Sequence, residues 1–330
     1  MSPLRRLYKR SPRLRRFIRR RKDAVTYHAA RFALWLPRQI ALERALWLAD
    51  RFGDLAYRFS SETRRLSLAH LDIAFGDQLS AAEKADIARA ALRNAARCFV
   101  ELTHIDDIRA HFDDYVSIEG WEHVEDLLEK GRSVIVITGH IGNWELLAAY
   151  VAGRGVPLAA IARRINDPRL NQLLVDFRAR NGVRTILRES PDSGRDILKT
   201  LRGRCALALV IDQDIQAPSV SVPFFGRLAR TPVAAAALAV RRNTVAVPVF
   251  ARRRPEGGQH FTIMAPIAPP ATGDRRLDVL ELTRQFNQIL EQRIRDNPRE
   301  WVWWHQRWRR RPVPKLDLDY DIHYPNHVLN

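Results

Sequence analysis

From residue 134 onward, short apolar runs alternate with segments whose apolar residues recur at helical intervals, and this alternation constrains the fold more than any other feature. Six runs have the length and character of buried strands: VIVIT, LAAIA, RTIL, ALALVID, TVAVPVFAR and HFTIMAPI. Helical segments separate them, among them LNQLLVDFRAR, GRDILKTLRG and VAAAALAVRR. Strands that alternate with helices form βαβ units, whose uniformly apolar strands are covered on both faces. The pattern predicts an α/β fold with a largely parallel central sheet flanked by helices.

The residues before this region predict a helical N-terminal extension. Ser80 and Glu83 have the spacing of a capping box at the start of SAAEKADIARAALRNAARCFVEL. We therefore expect one domain over 60–330, which divides into a helical lead-in (60–115), an α/β core (116–312) and a C-terminal tail (313–330). A basic, amphipathic segment (1–59) precedes it.

The chain is strongly basic, with 55 Lys and Arg against 37 Asp and Glu and a net charge of +18. The first 22 residues contain no acidic residue, and a second cluster, RWRRRP, lies near the C-terminus. Such clusters bind nucleic-acid phosphates or anionic membrane surfaces equally well, and a solvated basic tail has the same composition. Charge alone indicates an anionic partner without choosing it.

No stretch reaches the 18 or so apolar residues of a membrane-spanning helix. The nearest approach is DAVTYHAARFALWLPRQIALERALWLADRF, which charged residues interrupt, so an interfacial helix fits better than a spanning one. A pair of core helices is the competing interpretation. Cys98 and Cys205 stand far apart in apolar surroundings, which indicates free thiols in a reducing compartment. The basic N-terminus lacks the features of a secretory signal.

The segment GHIGNWELL follows the first predicted strand, and ligands of open α/β sheets collect at the carboxyl ends of strands. Gly139 and Gly142 permit a tight turn, and Asn143 can cap a helix that carries Glu145 in its first turn. Residues five apart on one helix point about 140° apart, so His140 meets Glu145 only if the loop folds it back. His140 would then act as a general base that Glu145 orients. A His and a Glu at this spacing also serve merely to satisfy local backbone.

Three further blocks carry candidate substrate-binding residues. Asp212 follows ALALVI at another strand end, and opens beside His140 if the sheet is parallel. Arg164 and Arg180 could bind phosphates, although a solvated helix face has the same pattern. The segment VPFFG suits either an acyl channel or a core. The block WVWWHQRWRRRP suits a membrane interface, and also base stacking on nucleic acid.

In order, these blocks resemble those of the lipid A biosynthesis acyltransferase family, within the wider lysophospholipid acyltransferase group. GHIGNWELL is similar to its H-x4-E block, ARRINDPRLNQLL to its Arg-x-x-Asn block, and LVIDQD to its Asp-Gln-Asp block. RARNGVR, VPFFGRLARTP and WVWWHQRWRRRP resemble its later segments, so the resemblance covers roughly residues 60 to 312.

The resemblance implies transfer of a fatty acyl chain from acyl carrier protein to a hydroxyl of a lipid A precursor, late in lipopolysaccharide biosynthesis. It implies peripheral or shallow attachment at the cytoplasmic face of the inner membrane, since the hydrophobic anchor common in the family is interrupted here. The site residues that it implies are His140 and Glu145 as the catalytic pair and Arg164, Arg180 and Asp212 as substrate-binding residues. Asn143 is a further substrate-binding candidate, which could steady the oxyanion of the reaction. An acyl thioester is already activated, so we expect no metal and no cofactor beyond that co-substrate.

Two alternatives stay open at this point. Another glycolipid or a lysophospholipid could be the acceptor, although Glu145, where glycerol-phosphate acyltransferases usually carry an aspartate, favours lipid A. A nucleic-acid-binding module would explain the charge but gives no reason for GHIGNWE or DQD at strand ends, so no nucleic-acid partner is expected. His305 lies in the closing block. The sequence around it is close to the family's usual His-Arg pair but not identical to it.

Overall fold

The computed structural model describes residues 12–310; residues 1–11 of the N-terminal segment, Arg311 and Pro312 at the end of the predicted core, and the predicted tail (313–330) lie outside the described residues. The helices are α1 (Pro12–Trp35), α2 (Leu42–Phe59), α3 (Ser61–Phe75), α4 (Ala81–Thr103), α5 (Ile105–Ala110), α6 (Phe112–Tyr115), α7 (Glu122–Glu129), α8 (Trp144–Gly153), α9 (Pro168–Arg180), α10 (Ser193–Arg202), α11 (Ala234–Arg242) and α12 (Arg275–Asp296). The strands are β1 (Val116–Glu119), β2 (Val134–Thr138), β3 (Leu158–Ala162), β4 (Val183–Leu187), β5 (Ala206–Val210), β6 (Ser219–Phe224), β7 (Arg227–Pro232), β8 (Ala246–Arg253) and β9 (Gln259–Ile263).

The central sheet has seven strands in the order β1-β9-β8-β2-β5-β3-β4. Neighbouring strands are parallel except β8 and β9, which pair in antiparallel fashion. A separate antiparallel hairpin, β6-β7, lies outside this sheet. The predicted fold class, a largely parallel sheet flanked by helices with a helical N-terminal region, is confirmed.

Helices cover both faces of the sheet, because each central strand contributes alternate residues to two separate hydrophobic clusters. Ile135 and Ile137 of β2 belong to one cluster, and Val134 and Val136 belong to the other. Side chains on a strand alternate between its two faces, so a strand that is buried along its whole length needs cover on both. The five residues of β2 are all buried.

The N-terminal helices pack on one another through small residues. Ala45, Ala49 and Gly53 form the buried face of α2, which lies against α4. A Cβ atom at Gly53 would stand 2.6 Å from the Cα of Arg93, so the two backbones are in close contact there. The predicted capping box begins α4: the Ser80 hydroxyl accepts from the Glu83 amide at 3.2 Å, and the Glu83 carboxylate accepts from the Ser80 amide at 2.8 Å.

Within residues 12–310, every helix is too short or too polar to traverse a bilayer.

Candidate active site

The central strands β2 and β5 end side by side, and this register creates the site. Thr138 is paired with Val210, and the Ile211 amide donates to the Thr138 carbonyl at 3.1 Å. His140 and Asp212 each lie two residues beyond these paired strand ends. They therefore meet at the carboxyl edge of the sheet, where ligands of open α/β folds bind.

Gly139 permits the close approach of these two residues. A Cβ atom at this position would stand 2.6 Å from a methyl carbon of Leu290 and 3.3 Å from Oδ2 of Asp212. Gly142 closes the same loop with a φ of +58°, and a Cβ there would lie 2.3 Å from the carbonyl oxygen of Ala251. A larger residue at Gly142 would collide with this backbone atom and displace the loop, whereas one at Gly139 would require the Leu290 side chain to move.

The Asp212 carboxylate accepts three hydrogen bonds. Nδ1 of His140 donates to Oδ1 at 2.7 Å, while the His140 amide and the Trp301 indole donate to Oδ2 at 2.7 and 2.8 Å. Burial raises the pKa of Asp212, but the charge and hydrogen bonds of His140 and the indole outweigh burial and hold that pKa below its usual range. The Asp212 side chain is inaccessible to solvent and that of His140 is 19% exposed, so the carboxylate is an ionised partner behind an imidazole that solvent can reach.

This contact fixes the proton on Nδ1 of His140 and leaves Nε2 as the basic nitrogen. It also corrects one expectation: the carboxylate bonded to His140 is Asp212, and not Glu145. Because Asp212 is fully covered, it cannot touch a substrate, and its geometry is that of an orienting residue rather than a substrate-binding one.

Glu145 is bonded instead to Arg178 of α9. Nε of Arg178 donates to Oε2 at 3.0 Å, and Nη2 donates to Oε1. Both side chains are largely buried, and Nη1 of Arg178 has no hydrogen-bond partner. Trp144, the residue before Glu145, places its ring edge-on to His140 with 4.8 Å between centroids. The ion pair therefore fixes the turn of α8 that lies against the imidazole.

Asn143 is the N-cap of α8, and both polar atoms of its side chain have hydrogen-bond partners within the protein. Its Oδ1 accepts from the Leu146 amide at 3.1 Å, as the sequence predicts, and its Nδ2 donates to Glu101 at 2.8 Å and to the Cys98 carbonyl at 3.3 Å. The residue is 1% exposed. The Asn143 amide is therefore not available for the predicted contact with a substrate. It instead holds α8 against α4.

Arg164 and Arg180 are both exposed. Arg164 follows β3 at the same edge of the sheet as His140, and its backbone amide donates to Glu189 at 2.9 Å. Arg180 is the last residue of α9, two positions beyond the arginine that meets Glu145. The structure does not bring either guanidinium to the imidazole.

The C-terminal block reaches the site through an antiparallel bridge between Ile141 and Trp301. Trp301, Trp303 and Arg307 are fully buried, so these members of the block belong to the core and not to a membrane interface. His305 stands 5.1 Å from His140 between ring centroids. The two phenylalanines of VPFFG are buried as well, in and just after β6.

Within the described part of the chain, no group of three or more His, Cys, Asp or Glu side chains is arranged to hold a metal ion.

Residues 17–310 match the family model of the bacterial lipid A biosynthesis acyltransferases. The chain belongs to this family. The lipid A biosynthesis lauroyltransferase of Escherichia coli K12 is 25% identical over 289 residues, which cover 84% of the chain and 90% of that protein. The palmitoleoyltransferase of the same strain is 24% identical over 293 residues, which cover 86% of the chain and 91% of that protein.

A phosphatidylinositol mannoside acyltransferase of Mycobacterium tuberculosis is 26% identical over 200 residues, or 58% of the chain. The match spans 59% of the length of that relative, which is less than two thirds. The relatives that this chain resembles are thus named for lipid A in some cases and for another glycolipid in others, and the predicted family resemblance is confirmed.

Sequence reasoning missed three residues that lie at the acyltransferase site: Arg178, Gln213 and His305. Arg178 stands in RARNGVR, where the last arginine of the helix was preferred over the one that faces inward. Gln213 stands in the DQD block and His305 in the WHQR segment. Neither segment alone reveals that its polar side chain reaches His140.

Proposed function

We propose that this protein transfers a fatty acyl chain from the thioester of an acyl carrier protein to a hydroxyl of a lipid A precursor. The observation that carries the proposal is the hydrogen bond from Nδ1 of His140 to the buried Asp212 carboxylate, at the carboxyl edge of the sheet. It leaves an unprotonated Nε2 on an imidazole whose side chain is 19% exposed, as a general base for a hydroxyl requires.

In the proposed reaction, Nε2 of His140 removes the proton from the acceptor hydroxyl while the oxygen attacks the thioester carbonyl carbon. The tetrahedral intermediate collapses with cleavage of the carbon–sulfur bond, and the imidazolium returns its proton to the departing sulfur. Asp212 stabilises the imidazolium between these steps. General base catalysis of this kind is worth roughly 10²- to 10⁴-fold in rate. Because the thioester is already activated, the reaction needs no enzyme nucleophile, metal or cofactor.

Glu145 supports this reaction through position rather than by contact with the base. Its ion pair with Arg178 holds the first turn of α8, from which Trp144 packs against the His140 ring. The exposed guanidinium groups of Arg164 and Arg180 are available to phosphates of the acceptor or of the carrier's prosthetic arm, and we assign them that role.

A second acceptor class is favoured by the mycobacterial relatives, which are named for phosphatidylinositol mannoside. The same base and the same thioester chemistry would acylate a hydroxyl of such a glycolipid. We place lipid A first because the family model covers residues 17–310 and the relatives named for lipid A match over more than four fifths of the chain.

We also propose that the protein attaches peripherally to the cytoplasmic face of the inner membrane. The support is the outward face of α2, where five large apolar side chains are exposed: Trp47, Leu48, Phe52, Leu55 and Phe59. Exposed Arg44, Arg51 and Arg58 accompany them and would meet anionic headgroups.

A transfer assay tests the proposed function. Purified protein receives laurate-, myristate- or palmitate-loaded acyl carrier protein together with a phosphorylated lipid A precursor or phosphatidylinositol mannoside, and acylated lipid is measured by mass spectrometry. We expect product with a lipid A precursor, its loss in His140→Ala, and its retention in His111→Ala, an exposed histidine outside the site. Product from the mannoside alone would establish the second acceptor. No product from any pair, with folded protein, would refute the proposal.

A further inference from the structure

A glutamine and a second histidine stand on the open side of the His140 ring. Nε2 of Gln213 lies 3.4 Å from Nε2 of His140 and 2.8 Å from Nδ1 of His305, with the other ring nitrogen of His305 further away, at 3.5 Å. The planes of the two imidazoles are nearly perpendicular, at 85°. Gln213 follows Asp212 directly, so the residue that orients the base is followed by one that links the base to a second ring.

The protonation of His140 determines the orientation of the Gln213 amide. Asp212 holds the His140 proton on Nδ1, so Nε2 presents a lone pair toward Gln213. An amide oxygen there would set two lone pairs against each other, whereas the NH₂ group can donate to that nitrogen. The same nitrogen lies within 3.5 Å of both ring nitrogens of His305, so it packs over the face of that ring and holds it beside the base without selecting a tautomer.

His305 also stays neutral while His140 cycles between its two charge states. Burial, followed by the nearby charge of His140, lowers the pKa of His305 to about 4. A second imidazolium beside the base would oppose protonation of His140 during catalysis, and a neutral ring does not. A neutral imidazole can still donate a hydrogen bond to developing negative charge.

The proposed reaction needs such a donor. Attack on the thioester moves an electron pair onto the carbonyl oxygen, and this oxyanion forms close to Nε2 of His140. Asn143, which the sequence offered for this task, has its amide bonded to Glu101 and is fully buried. His305 is half-buried and lies beside the base, and a neutral imidazole has one N–H that it can donate.

We propose that His305 is a further catalytic residue, whose neutral ring donates its one N–H to the oxyanion of the tetrahedral intermediate, and that Gln213 is a positioning residue that holds this ring beside the base. The inference rests on the proposed acyl transfer. No proton passes from His305 to the oxyanion: the carbonyl oxygen gains the electron pair when the new carbon–oxygen bond forms and returns it when the carbon–sulfur bond breaks. Removal of one oxyanion donor typically lowers kcat by roughly 10²- to 10³-fold.

The kinetic test compares His305→Ala, His305→Gln and Gln213→Leu with Gln306→Ala, a matched control at the exposed neighbouring position. We expect His305→Ala to lower kcat roughly 100-fold or more while KM for acyl carrier protein changes less than about threefold, because the contact forms only in the transition state. His305→Gln retains an N–H donor and should recover part of the loss. Gln306→Ala should behave as the wild type.

A second measurement does not depend on activity. Long-range ¹⁵N–¹H spectra of protein labelled at histidine report which nitrogen of each ring carries the proton. We expect His305 to carry a proton on only one ring nitrogen at neutral pH in the wild type, and its ring resonances to shift in Gln213→Leu. A wild-type His305 protonated on both nitrogens at neutral pH would overturn the inference.

The outcomes separate the two proposals. Transfer by the wild type, its loss in His140→Ala and full kcat in His305→Ala would overturn the role of His305 and leave the acyltransferase proposal intact. No transfer by the wild type to any acceptor would overturn both.

Discussion

At the scale of single residues, the chemistry of the site depends on which nitrogen of His140 carries its proton. Asp212 settles this by accepting both the ring N–H and the backbone N–H of the same residue. The Trp301 indole holds the other side of the carboxylate, so rotation of Asp212 would break three hydrogen bonds together. The base is therefore oriented before any substrate arrives.

Replacement of Asp212 by Asn tests this orientation. The Asn side chain has nearly the same shape, but its NH₂ group would face a donor and it cannot stabilise an imidazolium, so we expect kcat to fall roughly 10³- to 10⁴-fold. We expect a far smaller loss of kcat in Glu145→Gln, because the Glu145 side chain does not contact His140. The measurement is steady-state kinetics, with circular dichroism to verify folding. Equal losses in the two variants would instead support Glu145 as the partner of His140.

The two arginines of RARNGVR should differ in the kinetic parameter that they affect. Arg178→Ala frees Glu145 and the first turn of α8, and displacement of a catalytic group by about 1 Å can cost roughly 100-fold, so we expect a lower kcat. Arg180→Ala removes an exposed cation, so we expect a higher KM with kcat unchanged. Acyl-transfer kinetics at several acceptor concentrations separate the two effects. A loss of kcat in Arg180→Ala alone would contradict the assignment.

Sequence reasoning located His140 and Asp212 at neighbouring strand ends because parallel strands deliver successive carboxyl ends to one edge. The predicted contact between His140 and Glu145 is wrong, because a spacing of five residues does not reveal how the glycine-containing loop between them folds. Arg180 was preferred to Arg178 for the same reason. Which of two residues on one helix faces inward depends on the rotation of that helix against its neighbour.

At the scale of secondary-structure elements, α2 has reversed amphipathicity. Its small residues are buried against α4, while its large apolar residues face outward, with Phe52 67% exposed and Phe59 74% exposed. Asp50 and Asp54 on the buried side are paired with Arg97 and with Arg93. A helix that docks through alanine and ion pairs leaves its aromatic face available to a membrane interface.

Substitution of this face should weaken membrane binding without unfolding the helix. For Phe52→Ser with Leu55→Ser we expect at least a tenfold loss of binding to anionic vesicles, since burial of each such side chain is worth roughly 1.5–3 kcal/mol. Leu228→Ser with Leu277→Ser is the matched control, because those leucines are 41% and 42% exposed on other elements. Cosedimentation with phosphatidylglycerol-containing vesicles measures both. Equal binding of the two double variants would exclude this face.

The C-terminal block shows why composition does not specify environment. Tryptophan interleaved with arginine is typical of a membrane interface, yet Trp301 and Trp303 are fully buried here, and the Trp303 indole donates to the Pro298 carbonyl at 2.6 Å. Indoles that find hydrogen-bond acceptors can occupy a core as readily as an interface. The sequence pattern is the same in both cases, and tertiary contacts decide between them.

At the scale of the whole molecule, the alternation of strands and helices predicted the parallel strands β2, β3, β4 and β5 because local periodicity follows directly from two-sided burial. It did not predict the antiparallel β8-β9 pair, or the β6-β7 hairpin. That hairpin turns at Phe225 and Gly226, with φ of 51° and 70°, inside the VPFFG segment, which suits either an acyl channel or a core. Strand direction depends on the connection between strands and not on their composition.

The stability of the whole protein should decrease in mild acid because buried histidines must remain neutral. Burial lowers the pKa of His305 to about 4, and burial also lowers the pKa of His70 despite its hydrogen bond to Trp303. A histidine in the unfolded chain titrates near 6.5, so the unfolded state binds the proton first as the pH falls. Stability is therefore complete above about pH 6.5 and declines from there to about pH 4.

For His305 alone, the shift corresponds to a loss on the order of 2 kcal/mol between pH 8 and pH 5. Urea unfolding at both pH values measures the difference in the free energy of unfolding. His305→Gln should reduce the pH dependence by about this amount, and His70→Gln should reduce it further, because glutamine has no proton to bind in either state. A pH dependence that stays the same in both variants would mean that other groups control the acid sensitivity of the fold.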